Sequence, residues 1–297
     1  FIGIDENNIQ KTNEKIKKLF NFIEKINLLC YNYFNENSYV FNNYFTLFFG
    51  LLQTKLFIIF QTLSGDFMVY ITGDMHGELK RFSDRKLKRL SEEDVLMICG
   101  DFGFIWNGSE QEKKFLEEIG EKPYKTMFVD GTHENFELLE KYPIEELFGG
   151  RAHHISGNLY HMIRGEIFTI DGETYFAFGG GDSPDREIRI AAGTWYKQEM
   201  PTVDEMTYAV ENLNRYDYNV DYLITHEPSG NARGLIDSRS EISAIGSFFD
   251  EIAKNVKYKC WYFGSVHFDR RISGRNYAVF TEILPIHMKA KKRRLFM

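Results

Sequence analysis

From Met68 onward, short runs of β-branched and aromatic residues alternate with charged stretches in which apolar residues recur every three or four positions. Met68–Thr72, Val95–Cys99, Lys125–Val129, Asn219–Thr225 and Tyr258–Phe263 read as strands. Between them, Glu78–Arg89, Glu110–Ile119, Glu134–Lys141, Val203–Arg215 and Glu241–Lys254 read as helices. The alternation predicts an α/β architecture with largely parallel strands. A second set, Leu159–Ile163, Glu166–Ile170 and Glu173–Phe178, contains the two-residue hairpin signal Asp171-Gly172, and Asn276–Thr281 is a candidate to join it. Two sheets are therefore expected.

The first 67 residues follow a different pattern. Ile16, Leu19, Phe20, Ile23, Ile26 and Cys30 recur at helical spacing, so an amphipathic helix that needs a partner for its apolar stripe is expected. Tyr44 to Phe60 is nearly all apolar, but it is short for a bilayer span and is interrupted by Gln53 and Lys55. That argues against a membrane helix. Composition marks the boundary: residues 1–67 hold ten Asn and no Arg, Pro, His or Trp. Two origins fit this segment. One is a genuine helical extension. The other is translated upstream sequence ahead of an initiator at Met68, since Gly65-Asp66-Phe67-Met68 is compatible with a purine-rich ribosome-binding pattern before a start codon. The reading divides the chain into an Asn- and aromatic-rich extension (1–67), one large domain (68–287) and a basic tail (288–297) that carries Lys289, Lys291, Lys292, Arg293 and Arg294.

The formal net charge of −7 argues against a surface built for nucleic acid, and leaves the basic tail as the one feature pointing that way. Cys30, Cys99 and Cys260 are odd in number and far apart, which suits reduced core thiols in a reducing, cytoplasmic compartment. No secretory signal pattern opens the chain.

The chemistry lies in where acids and histidines fall. Asp74 and His76 follow the first strand in Gly73-Asp74-Met75-His76-Gly77, and Asp101 follows the second in Gly100-Asp101-Phe102-Gly103. His133 follows the third strand within Asp130-Gly131-Thr132-His133-Glu134. His226 and His267 follow the last two strands in Thr225-His226-Glu227-Pro228 and Gly264-Ser265-Val266-His267. Open α/β sheets bind ligands beyond the C-terminal ends of their strands. One Asp or His there is usually a turn residue or helix cap, whereas five such sites in the same position point to convergence. Carboxylates together with imidazoles suit a borderline divalent ion, Mn²⁺, Fe²⁺ or Zn²⁺, better than a thiolate zinc site, and no Cys-x-x-Cys is present.

This order of motifs resembles the calcineurin-like metallophosphoesterase superfamily, whose signatures are Asp-x-His, Gly-Asp, Gly-Asn-His-Asp/Glu, a histidine after a strand, and Gly-His-x-His. Val129 to Phe136 and Trp261-Tyr262-Phe263-Gly264 look like a bacterial and phage branch of small stand-alone phosphoesterases. The resemblance implies a two-layer β-sandwich flanked by helices, and hydrolysis of a phosphomonoester, phosphodiester or nucleotide by metal-bound hydroxide. It assigns Asp74, His76, Asp101 and His267 to a first metal, with Asp101 bridging to a second that His226 also ligates. His133 becomes the proton donor to the leaving oxygen.

The second site departs from the pattern, because Thr132 stands where Asn is expected and Ser265 where His is expected. Hydroxyls are poor neutral ligands for a transition ion. One tight ion and an impaired second site are therefore expected. This leaves two readings open, a phosphoesterase of reduced activity and a metal-binding regulatory protein of the same fold. Phe102-Gly103-Phe104 after Asp101 lacks the Asp-Arg-Gly continuation of the Ser/Thr phosphatases, so substrate recognition is expected from segments such as Gly179–Ile190 and Gly230–Ser240.

Overall fold

A computed structural model describes residues 68–286. The readings for residues 1–67 and for the basic tail lie outside the described residues, as does Cys30. The strands, in chain order, are β1 (Val69–Thr72), β2 (Val95–Cys99), β3 (Lys125–Val129), β4 (Ile144–Leu147), β5 (Gly150–Ser156), β6 (Leu159–Met162), β7 (Ile167–Ile170), β8 (Glu173–Phe178), β9 (Tyr222–Thr225), β10 (Cys260–Phe263), β11 (Arg270–Arg271), β12 (Asn276–Ala278) and β13 (Leu284–Pro285). The helices are α1 (Glu110–Gly120), α2 (Phe136–Leu139), α3 (Arg186–Ala192), α4 (Val203–Arg215), α5 (Gly230–Ile236) and α6 (Ala244–Asn255).

Two sheets form, in the orders β13-β1-β2-β3-β6-β5-β4 and β11-β12-β10-β9-β8-β7. The strands β1, β2, β3 and β6 pair in parallel in the first sheet, and β8, β9, β10 and β12 do so in the second. Side-chain alternation along β2 shows how the layers stack. Val95, Met97 and Cys99 join Phe168, Tyr175, Ile224 and Tyr262 of the second sheet in one buried cluster, while Leu96 and Ile98 turn the other way to meet Leu116 and Ile119 of α1. Because both faces are covered, all of β2 is apolar and buried. On the far side, Phe176, Leu223 and Trp261 pack against Leu213 of α4 and Phe249 of α6. The result is a β-sandwich with helices on both outer faces.

Several sequence expectations shift. Leu159–Met162 pairs in parallel with β3 and so belongs to the first sheet, while β9 and β10 complete the second beside the Asp171-Gly172 hairpin. Asn276–Ala278 does join that second sheet. The expected helix Glu78–Arg89 is two 3₁₀ turns, Leu79–Ser83 and Leu87–Arg89, because Asp84 adopts an extended backbone and its Oδ1 accepts the Lys86 N–H at 2.7 Å. The expected helix Glu134–Lys141 shrinks to α2, since the Glu134 carboxylate is buried under the Asp101 loop and Asn135 caps the helix at Leu138 N (3.2 Å). The one expected over Glu241–Lys254 starts only at Ala244, where Ser243 Oγ accepts the Gly246 N–H. Strands β4 and β5 went unread: they form the edge of their sheet, and charged, half-exposed residues blur their alternation. Cys99 and Cys260 are free thiols, and no described helix is long and apolar enough to cross a membrane.

Candidate metal centre

The five chemistry-bearing loops leave β1, β2, β3, β9 and β10 at their C-terminal ends. Parallel pairing within each sheet brings those ends to one edge of the sandwich. Of nine non-glycine residues with positive φ among those described, five are Asp74, His76, Asp101, Ser265 and His267. Such backbone costs on the order of 1–3 kcal/mol per residue and gathers where function demands it. Glycines make the close approach possible. A Cβ on Gly131 would lie 2.1 Å from Asp101 Oδ1, and one on Gly264 would lie 2.3 Å from the Cys99 carbonyl oxygen.

Asp74, His76, Asp101 and His267 each offer a ligand atom, and these atoms all lie within 4.8 Å of one another. His76 Nε2 and His267 Nε2 face each other at 3.1 Å, and His76 Nε2 is 3.7 Å from Asp101 Oδ2. Asp74 Oδ1 accepts the Ser265 N–H at 3.0 Å, whereas Asp74 Oδ2 is buried with no hydrogen-bond partner. An orphaned carboxylate oxygen is costly in a closed interior. Burial pushes this carboxyl up to about 7, although His226 nearby opposes the shift. A divalent cation answers both features, so the residues fit such an ion, and the mixed oxygen and imidazole donors suit Mn²⁺, Fe²⁺ or Zn²⁺. The base of the loop is held by Arg81, whose Nη1 donates to the carbonyls of Gly73 (2.9 Å) and Asp74 (2.8 Å) and whose Nη2 donates to Thr72 Oγ1 (2.6 Å) and to the Phe280 carbonyl.

Asp101 is the hub. Its Oδ1 accepts the backbone N–H groups of Thr132 (2.6 Å) and His133 (2.9 Å), and its Oδ2 lies 2.8 Å from His133 Nδ1. Burial alone would raise the Asp101 carboxyl, but His226, His133 and His76 together hold it well below the usual carboxylate range. An ionised carboxylate only accepts, so the proton of that bond sits on His133 Nδ1. The same bond raises the His133 pKa against the opposing effect of burial. Glu134 completes the scaffold, accepting the N–H groups of Phe102 (2.6 Å) and Gly103 (3.3 Å).

His226 is buried beside the same carboxylates, with Nδ1 3.1 Å from the Cys99 carbonyl and 3.5 Å from Asp74 Oδ1, and Nε2 3.6 Å from Asp101 Oδ1. Burial would lower its pKa, yet Asp101 and Asp74 push it up to about 8. The other positions on this side hold hydroxyls. Thr132 Oγ1 lies 3.1 Å from His133 Nδ1, and Ser265 Oγ donates to Glu227 Oε1 at 2.9 Å. As neutral ligands for a transition ion, hydroxyls are weaker than the Asn and His of the family pattern. The nearby Asp269 carboxylate accepts the N–H groups of Phe280 (2.7 Å), Thr281 (3.1 Å) and Glu282 (3.1 Å).

The loops thus bring together all six residues read from the sequence: Asp74, His76, Asp101, His133, His226 and His267. Sequence reasoning missed Arg81, which lies in a stretch read as a plain helix, and Arg233. The latter sits on α5 within the segment Gly230–Ser240, where only the expectation of a recognition segment pointed to it.

Among curated proteins no sequence matches. Among solved structures, the protein of unknown function AQ665 from Aquifex aeolicus aligns with a TM-score of 0.28 at 16% identity, over 55% of this chain and 80% of that one. The family model for calcineurin-like phosphoesterases matches residues 67–270, a span that contains all five of the loops just described. The chain belongs to the calcineurin-like phosphoesterase family.

Proposed function

We propose that this protein hydrolyses a small phosphate ester, a phosphomonoester, phosphodiester or nucleotide, with one divalent ion held by Asp74, His76, Asp101 and His267. The observation that carries the reading is the convergence of those four donors, one of which, Asp74, has a buried carboxylate oxygen with no hydrogen-bond partner. When bound, the ion supplies a Lewis acid that polarises a phosphoryl oxygen and acidifies water. His133 serves as proton donor to the leaving oxygen: Asp101 fixes its Nδ1, so that the opposite ring nitrogen is the one presented to substrate. Asp101 holds that imidazole and contributes to the ion site at once, coupling proton delivery to ligand geometry. Buried donors that are already aligned need little reorganisation during reaction, which is where such sites gain most of their rate.

The incomplete second ligand set, with Thr132 and Ser265 as hydroxyls, favours a second reading, a metal-binding regulatory protein that turns over substrate poorly. A screen of aryl and nucleotide phosphate esters on the full chain, titrated with Mn²⁺, Fe²⁺ and Zn²⁺, separates the two. Ion-dependent hydrolysis of any ester supports the enzyme. Stoichiometric ion uptake without hydrolysis across the screen supports the regulator.

A further inference from the structure

The side of the centre where Thr132 and Ser265 stand in place of the family ligands carries a cation, Arg233. Arg233 Nη2 donates to Ser265 Oγ at 2.9 Å and pairs with the Glu227 carboxylate, while Ser265 Oγ donates back to Glu227 Oε1 at 2.9 Å. Arg233, Glu227 and Ser265 thus close a triangle. Ser265 also joins it to the ion site, since its backbone N–H donates to Asp74 Oδ1 at 3.0 Å. Thr132 belongs to the same wall: a Cβ on Gly181 would lie 2.8 Å from Thr132 Cγ2 and 3.1 Å from Glu227 Oε1. Both residues that depart from the family ligand pattern therefore border this one ion pair.

The guanidinium is not buried away. The Arg233 side chain is 26% exposed against 11% for Glu227, and among the described residues only its Nη2 has a hydrogen-bond partner, leaving the Nε and Nη1 hydrogens for an incoming group. Guanidinium donors match the oxygens of phosphate, and their charge does not depend on pH in the working range. Glu227 and Ser265 hold the head group in place, which reduces the rotamer entropy lost when an anion binds.

We infer that Arg233 is the phosphate-binding residue of this centre, supplying from the protein the positive charge that a second ion would otherwise bring. The inference rests on the one-ion phosphoesterase reading. It accounts for two features together, the loss of ligands at residues 132 and 265 and the presence of a partly exposed arginine against one of them.

The test is isothermal titration of inorganic phosphate into the full chain loaded with Mn²⁺, with ion content measured in parallel. Arg233→Gln should weaken phosphate binding by about tenfold or more, the scale of a lost charged hydrogen bond, with the ion content still one per chain. A purely structural arginine would instead lower thermal stability and leave phosphate affinity unchanged. Glu227→Gln provides a second arm, because it frees the guanidinium from its carboxylate and should tighten phosphate binding severalfold. Unaltered affinity in Arg233→Gln, or weaker affinity in Glu227→Gln, overturns the role of Arg233 and leaves the phosphoesterase reading standing. A native protein that keeps its ion yet binds no phosphate overturns both.

Discussion

His133 Nδ1 and Asp101 Oδ2 are joined at 2.8 Å, and Asp101 Oδ1 accepts the backbone N–H of the same histidine at 2.9 Å. One carboxylate thus fixes both the ring and the backbone of the proposed proton donor while contributing to the ion site. His133→Ala is expected to lower hydrolysis by about 10²–10⁴, the usual worth of a positioned general acid, with ion content unchanged. Loss of the ion together with activity would show that His133 acts by holding Asp101 and not by moving a proton.

Asp74→Asn keeps the acceptor for the Ser265 N–H and removes the carboxylate oxygen that has no other partner. The variant should fold, since the substitution withdraws a buried charge instead of adding one. Elemental analysis after dialysis should find one ion per chain in the native protein and none in the variant. An ion retained by Asp74→Asn would place the metal elsewhere.

Away from the centre, His153 Nδ1 lies 3.0 Å from His161 Nδ1, and His161 Nε2 lies 3.1 Å from the buried Asp130, which Arg164 also pairs. Burial first, and then neighbouring His161, bring the His153 pKa down to about 4. A base whose folded pKa is depressed favours the folded state while neutral, so its contribution is complete above the unfolded value of about 6.5. It is lost as the pH falls from there towards 4. Thermal midpoints should decline across that window, and His153→Gln should flatten the decline between pH 6.5 and 5, above the range in which most carboxylates titrate. Parallel curves for native and variant would remove His153 as the cause.

Arg81 tests how much of the centre depends on its support. Its four donations tie Gly73, Asp74, Thr72 and Phe280 together beneath the Asp74 loop. Arg81→Ala should cost about 2–4 kcal/mol in denaturant unfolding, because it strands several carbonyls that a charged donor now satisfies. It should also weaken ion binding about 10–100-fold, as expected when a group that orients a ligand is lost. A variant with native ion affinity would mean that the loop holds its strained φ values without the arginine.

What could be read from the sequence, and what could not, follows from physical range. Val95–Cys99 was legible to the residue because a strand buried on both faces is continuously apolar, and Lys125–Val129 because its apolar run Met127–Val129 follows the β-branched Thr126. The six candidate site residues were legible because each closely follows a strand end, all but His226 close to a glycine. The placement of Leu159–Met162 was not, since only its parallel pairing with β3, a contact made across the fold, decides which sheet it enters. Arg233 was hidden for a related reason. Its partners Glu227 and Ser265 come from two different loops, 6 and 32 residues away, and no spacing rule connects them. The 3₁₀ turns at Leu79–Ser83 and Leu87–Arg89 were misread as one helix because helical periodicity does not register a local side-chain bond such as that of Asp84 to Lys86 N.

The second ion site offers the sharpest test of what Arg233 does. Thr132→Asn with Ser265→His restores the family donors, and the turns that carry them are intact, with Gly131 and Gly264 still packed against Asp101 and Cys99. On the one-ion reading, ligand chemistry is only part of what would exclude a second ion, because the guanidinium of Arg233 stands 2.9 Å from Ser265 Oγ. The guanidinium opposes a dication placed beside it, although its pairing with Glu227 softens that repulsion, and a larger side chain at residue 265 must also displace the Arg233–Glu227 pair. The double variant should therefore still retain one ion per chain. Adding Arg233→Gln relieves the repulsion, so the triple variant should retain two and hydrolyse a generic aryl phosphate ester at least about tenfold faster than Arg233→Gln alone. The three changes act on one ion, so their effects should be strongly non-additive. Two ions retained by the double variant, with Arg233 in place, would show that the arginine does not oppose a second metal.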